Sequence, residues 1–275
     1  MFRRILVPLD GSAYSKSTTR MAIRIAKEEQ AQVDGMAIID KPDIEKSTGP
    51  MPLGGIYYAI KAEKKKLTDA ESKALHLVDE FSAQCKKEGV TGDLIVREGE
   101  PVAVIADEAK YHDITILGLK NFFKYGAEDD DNTLEGYLSH TAQPVIAVPE
   151  NYKTIEKILM TYDGSWPSAR ANQSFIQFGL WSNRDITLFN VNENKNQSDL
   201  ILNHMGKLLE THQIKFKKIH SYGHPKDIIL QYADENDFDL IVLGANSRDT
   251  ITSFLFGSTT KEILQKANIP LFLDH

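Results

Sequence analysis

Cysteine is nearly missing from this chain: 275 residues carry one thiol, Cys85. That scarcity argues against a disulfide-built fold and fits a reducing compartment. Long apolar runs are missing too. Nothing approaches the roughly 18 apolar residues of a membrane span, and Met1-Phe-Arg-Arg-Ile enters a strand-like run where a secretory signal would have its apolar core. A cytoplasmic protein without membrane association is predicted. There is no basic excess: the net charge is −7, with 19 basic and 25 acidic side chains in residues 1–150 and 13 and 14 in residues 151–275. Neither half offers a basic face to a phosphate backbone, so nucleic-acid binding is disfavoured.

Metal-binding patterns are absent as well. The eight histidines, at 76, 112, 140, 204, 212, 220, 224 and 275, include no i, i+4 pair with a companion carboxylate. His224 alone is expected in a loop near the binding crevice, as a solvated side chain. The acids Glu128 to Asp131 lack the glycine and alternate spacing of a calcium loop, which predicts a solvated turn. Cys85 shares helical spacing with Leu75, Val78 and Phe81, so a buried, unreactive thiol is expected.

What the chain does have is a repeat. Ile5-Leu6-Val7-Pro8-Leu9 precedes Asp10-Gly11-Ser12, and Ile158-Leu159-Met160-Thr161-Tyr162 precedes Asp163-Gly164-Ser165, an offset of 153. Farther along, Gly99-Glu100-Pro101 matches Gly223-His224-Pro225, and Ile114 to Gly118 matches Leu240 to Gly244, with offsets of 124 and 126. The fall of about 27 places one insertion in the first copy, Lys41 to Lys66. Two copies, not a solenoid series, predict two domains, residues 1–150 and 151–275. The insertion mixes turn residues (Gly49-Pro-Met-Pro-Leu-Gly-Gly) with Tyr57, Tyr58 and a lysine cluster, and reads as a lid, a docking arm or a disordered segment.

Within each copy, apolar β-rich runs alternate with amphipathic helical segments. The second copy reads Ile158 to Tyr162, a helix from Ser165 to Trp181, then Ile186 to Val191, Leu200 to His212, Phe216 to Ser221, Pro225 to Glu235 and Leu240 to Leu243, with a last helix and strand. In the first copy the second helix is expected over Thr68 to Lys87. Runs such as Leu240-Ile-Val-Leu243 are apolar throughout, as strands covered on both faces are. The fold class predicted is therefore α/β, two tandem doubly wound, mostly parallel sheets.

Ligands of such sheets bind beyond the carboxyl ends of the strands, at the switch point of strand order. Asp163 and Gly244 end strands there. Gly257 removes a side chain where a phosphate would pass, and Ser258, Thr259 and Thr260 open the last helix with unpaired N–H groups. The bland alternative is a turn glycine and a simple N-cap. At the matching places the first copy has Asn121, Asp131 and Asn132 in place of Ser247, Gly257 and Ser258, after an acidic block. Phosphate binding is expected in the second copy alone.

The pattern Gly-x2-Gly-x9-Gly-Ser/Thr, with Asp ending the first strand and Gly-x-Pro before the third helix, resembles the universal stress protein family in tandem form. The resemblance covers both halves apart from Lys41 to Lys66. It implies five mostly parallel strands per domain, an adenine nucleotide-binding fold related to the α-hydrolases, and ATP or AMP as ligand, with Mg2+ as an accompanying ion in some cases. It also implies a stress-response role with at most slow ATP hydrolysis. Adenine and ribose contacts would fall on Thr161, Asp163 and Val191, with Leu243 and Gly244 beneath. Phosphates would meet Ser247, Gly257, Ser258, Thr259 and Thr260. Ser247 departs from the motif's second glycine. In the first half, Pro8, Asp10 and Ile38 or Ile39 would shape what remains of an adenine pocket. By the same resemblance, the halves form a pseudo-dimer through Val145 to Val148 and Leu271 to Leu273, with a homodimer of the chain as the alternative. Two other classes stay open: an adenylating enzyme, although Ser-Gly-Gly-x-Asp-Ser and His-x-Gly-His are missing, and an interaction module holding a non-nucleotide ligand.

Overall fold

The structure, a computed structural model, describes residues 3–47, 56–123, 133–245 and 257–274. The chain divides into two compact units, Phe2–Thr141 and Ala142–His275.

The first unit runs β1 (Arg4–Leu9), α1 (Ala13–Glu29), β2 (Gln32–Ile39), α2 (Lys41–Lys46), α3 (Ile56–Glu88), β3 (Leu94–Glu98), α4 (Pro101–Ala109), β4 (Ile114–Gly118) and α5 (Thr133–Leu138). Its strands are parallel in the order β3-β2-β1-β4. The second unit runs β5 (Val145–Val148), β6 (Lys157–Thr161), α6 (Trp166–Phe178), β7 (Asp185–Val191), α7 (Lys195–Thr211), β8 (Phe216–Ser221), α8 (Pro225–Glu235), β9 (Leu240–Gly244), α9 (Ser258–Lys266) and β10 (Leu271–Asp274). Its order is β5-β10-β9-β6-β7-β8, parallel except where β5 meets β10. The paired residues, Val145 to Ala147 and Leu271 to Leu273, are apolar and fully buried, and Asp274 ends β10 as a buried carboxylate.

The repeat survives as register. Arg4 faces Gln32 as Lys157 faces Asp185, and Ile5 faces Ile114 as Ile158 faces Leu240. Asp113 accepts the backbone N–H groups of Arg3 and Arg4, and Asp239 those of Glu156 and Lys157. One acid per copy thus ties the strand after it to the start of the copy's first strand. The copies differ near these ends. In the first unit Asp34 is fully buried between His112 Nε2, at 2.9 Å, the Arg4 guanidinium and the Asp93 N–H. The matching second-unit residues are Thr187 and Phe238, and the rings of Phe189, Tyr232 and Phe238 pack together there.

Two sequence expectations change. The helix expected from Thr68 begins at Ile56, because the second part of the insertion continues the same helix. Lys66 Nζ donates to Ser47 Oγ at 2.8 Å, fastening it to the short α2. Residues 48–55 and the acidic block lie outside the described residues. Cys85 is buried, its thiol pushed up to about 11 by burial, but Leu75 is exposed. The buried stripe is Ala70, Ala74, Leu77, Val78, Phe81 and Cys85, so Val78 and Phe81 share it with the thiol as expected. Among the described residues no helix is long and apolar enough to cross a membrane, and no group of three His, Cys, Asp or Glu residues is placed to hold a metal.

Candidate functional site

In the second unit, β6 leads through α6 to β7 on one side, while the chain returns through α8 to β9 on the other. The order reverses between β6 and β9, where a crevice is expected. A cavity of about 770 Å³ opens there, within the range of small-molecule sites.

Its floor and one wall come from the Asp163-Gly164-Ser165 turn. Gly164 has φ +84°, a conformation that favours glycine. The turn brings Asp163 Oδ1 to the Ser165 N–H at 2.9 Å and the Ser168 hydroxyl at 2.6 Å, and Ser165 caps α6. Burial alone would raise the pKa of Asp163, but these donors outweigh it and hold the carboxyl below its usual range. Asp163 lines the cavity as an anion whose Oδ2 makes no hydrogen bond among the described residues.

The opposite wall is apolar. Phe189 and Val191 project from one face of β7, Ile229 comes from α8 and Leu243 from β9. At the remaining side, Gly257 is the N-cap of α9, and among the described residues no side chain caps the helix. A Cβ built on Gly257 meets nothing within 4 Å, and Gly257 and Thr259 of this turn line the cavity. Uncapped N–H groups at the positive end of a helix suit an anion.

The universal stress protein family model matches residues 1–149 and 192–274. The chain belongs to the universal stress protein family. A curated relative, universal stress protein Slr1230 of Synechocystis sp., is 30% identical over 58% of this chain and 56% of its own length; the match thus spans just over half of that relative. A universal stress protein of Archaeoglobus fulgidus superposes with a TM-score of 0.74 at 18% identity, covering 98% of this chain and 97% of its own. A protein of unknown function from Pseudomonas aeruginosa superposes at 0.64, with 13% identity, 99% of this chain and 92% of its own covered. At such identities these superpositions speak for the fold.

Of the residues that the family resemblance singles out, Thr161, Asp163, Val191, Leu243, Gly244, Gly257, Thr259 and Thr260 line the cavity together. Ser258 is exposed and is not among the lining residues, and Ser247 lies outside the described residues. Two hydroxyls are already committed: Thr161 Oγ1 donates to the Val242 carbonyl at 2.7 Å and Thr260 Oγ1 to the Gly244 carbonyl at 3.0 Å. They tie β6 and α9 to β9. Gly244 also has a packing role. A Cβ there would lie 2.5 Å from the backbone of Pro167 and Ser168, so its hydrogen lets α6 sit against β9. His224 is exposed and precedes α8 without capping it, whereas Pro225 next to it lines the cavity.

Sequence reasoning missed the first turns of α6, with Trp166, Pro167, Ser168 and Arg170, and also Phe189 and Ile229. The signal for Phe189 was its spacing of two from Val191 on one strand. For α6, it was that a helix leaving a switch-point strand starts at the crevice.

In the first unit the residues at the matching positions are engaged differently. Asp10 is buried and both its oxygens are taken, Oδ1 by the Ser12 N–H and Oδ2 by the Phe122 N–H, each at 2.8 Å. Asn121 Nδ2 donates to the Gly118 carbonyl at 3.0 Å, and Phe122 lies near Tyr14 with ring centroids 6.2 Å apart. Pro8, Ile38 and Ile39 are buried, and residues 119–123 fold back over the end of β1.

Proposed function

We propose that the second unit holds an adenine nucleotide, ATP or AMP, and that the chain serves as a nucleotide-binding regulator of a stress response. The observation that carries this reading is one cavity with three complementary parts. Asp163 Oδ2 suits a ribose hydroxyl, the Phe189, Val191 and Leu243 wall suits the base, and the uncapped start of α9 behind Gly257 suits phosphate. Where Mg2+ accompanies ATP, it is carried by the phosphates, the metal's usual arrangement at sites without a dedicated protein cage. Among the described lining residues no serine or threonine hydroxyl is paired with a histidine or lysine base, so no covalent step is part of this reading.

Calorimetry with ATP and AMP tests the reading. Gly257→Asp places a carboxylate at the open N-cap and copies the first unit's Asp131, so binding is expected to fall at least tenfold, with the melting temperature nearly unchanged. Unchanged affinity in a folded G257D chain would refute the phosphate assignment.

A further inference from the structure

One cation stands in the cavity that neither the glycine motif nor the repeat accounts for. Arg170, one turn beyond Trp166 on α6, is half exposed, and it is the sole Lys or Arg among the described lining residues. Its Nε lies 3.4 Å from Oδ1 of Asp274, which ends β10 and is 1% exposed. The second oxygen of Asp274 accepts the Ser174 hydroxyl, and its backbone carbonyl accepts the Ala245 N–H at 2.8 Å. A carboxylate so deeply placed is costly without partners, so part of the pairing is structural. Yet Asp274 engages the Nε edge of the guanidinium. The two Nη groups make no hydrogen bond to the described residues, although a guanidinium carries five donors in a fork that matches phosphate geometry.

The internal repeat isolates this arrangement. At the positions of Arg170, Ser174 and Asp274 the first copy has Ser17, Met21 and Val148. All three members are absent from the copy that also lacks the Gly-Ser-Thr turn. A pair present only to hold sheet and helix together would suit either copy equally.

We propose that Arg170, held by Asp274, is the cation that makes the cavity select phosphorylated adenosines over adenosine. This rests on the nucleotide reading above. Asp274 and Ser174 are positioning residues, restricting the guanidinium so that less freedom is lost when phosphate binds.

The test is calorimetric titration of the full chain with adenosine, AMP and ATP. The wild type is expected to bind AMP more tightly than adenosine. Arg170→Gln should weaken AMP and ATP by about 10- to 100-fold, the range for a charge-assisted hydrogen bond to phosphate, while adenosine changes less than about twofold. Arg170→Lys should recover part of the loss. Because Arg170→Gln takes the cation from a buried carboxylate, Arg170→Gln/Asp274→Asn is measured alongside; it should show the same selective loss with a melting temperature closer to wild type. If both Gln-containing variants keep the wild-type ratio of AMP to adenosine affinity, or lose all three ligands equally, Arg170 is structural only and the proposal fails. A wild type that binds adenosine without preferring AMP overturns the proposal and leaves the base and ribose assignment standing. A wild type that binds none of the three removes the nucleotide reading itself, and Arg170's role with it.

Discussion

Two glycines that look equivalent in the sequence do different work. Gly244 is required by packing, since the atoms 2.5 Å from its missing Cβ belong to the α6 backbone and have no flexible end to move. Gly257 has open space around it and an ordinary φ of −54°. Gly244→Ala is therefore expected to destabilise the second unit by about 1–3 kcal/mol, as overpacking does. Gly257→Ala should cost less than about 1 kcal/mol, the range for replacing an N-cap glycine. Chemical denaturation of both variants checks this; similar losses in the two would show that α9, not α6, sets the constraint. Asp163 shows the same division of labour within one side chain. Oδ1 organises its own turn, which leaves Oδ2 for a ligand.

Among the elements, the start of β2 in the first unit carries the most costly group. Asp34 is fully buried; burial would raise its pKa, but His112, the Asp93 N–H and Arg4 outweigh that and lower it. A carboxyl with a depressed folded-state pKa contributes stability that is complete above its unfolded pKa, near 3.9. That stability is lost as pH falls through the lower folded value. His112→Phe, which copies Phe238, leaves the buried charge short of a partner and should cost about 2–4 kcal/mol. Asp34→Thr/His112→Phe copies both second-unit residues and should recover most of it, since a buried pair replaced by packing is often neutral. The double variant should also lose less stability than wild type between about pH 5 and pH 2. Urea titrations across that range decide; a double variant as damaged as the single one would mean that Asp34 contributes more than self-compensation.

At the scale of the whole chain, the duplication yields two units, and nucleotide binding is proposed for the second alone. Charge is a weak reason for the difference, because interactions between charges in water are screened over roughly 8 Å at physiological ionic strength. A stronger reason is that Asp10 already accepts the Phe122 N–H, the role that Asp163 Oδ2 leaves vacant. Changing Glu128, Asp129 and Asp130 to serine is therefore expected to leave nucleotide binding at one equivalent per chain. A titration of that triple variant ending at two equivalents would show that electrostatics, and not the bonding of Asp10, keeps nucleotide from the first unit.

The alternation of strands and helices, the two copies, their registers and the Asp-Gly-Ser turns were legible in the sequence, because each rests on periodicity, capping or turn chemistry within a few residues. The gap in offset likewise located the insertion, though not the joining of its second part to α3, which depends on what Lys66 and Ser47 find across the fold. The roles of Gly244 and Gly257, the exposure of Leu75 and the placing of Arg170 beside Asp274 were decided by tertiary structure. So was the engagement of Asp10, which meets an N–H 112 positions away. Such pairings are set by which faces of helix and strand come to share a core, and local patterns in the chain carry no record of that.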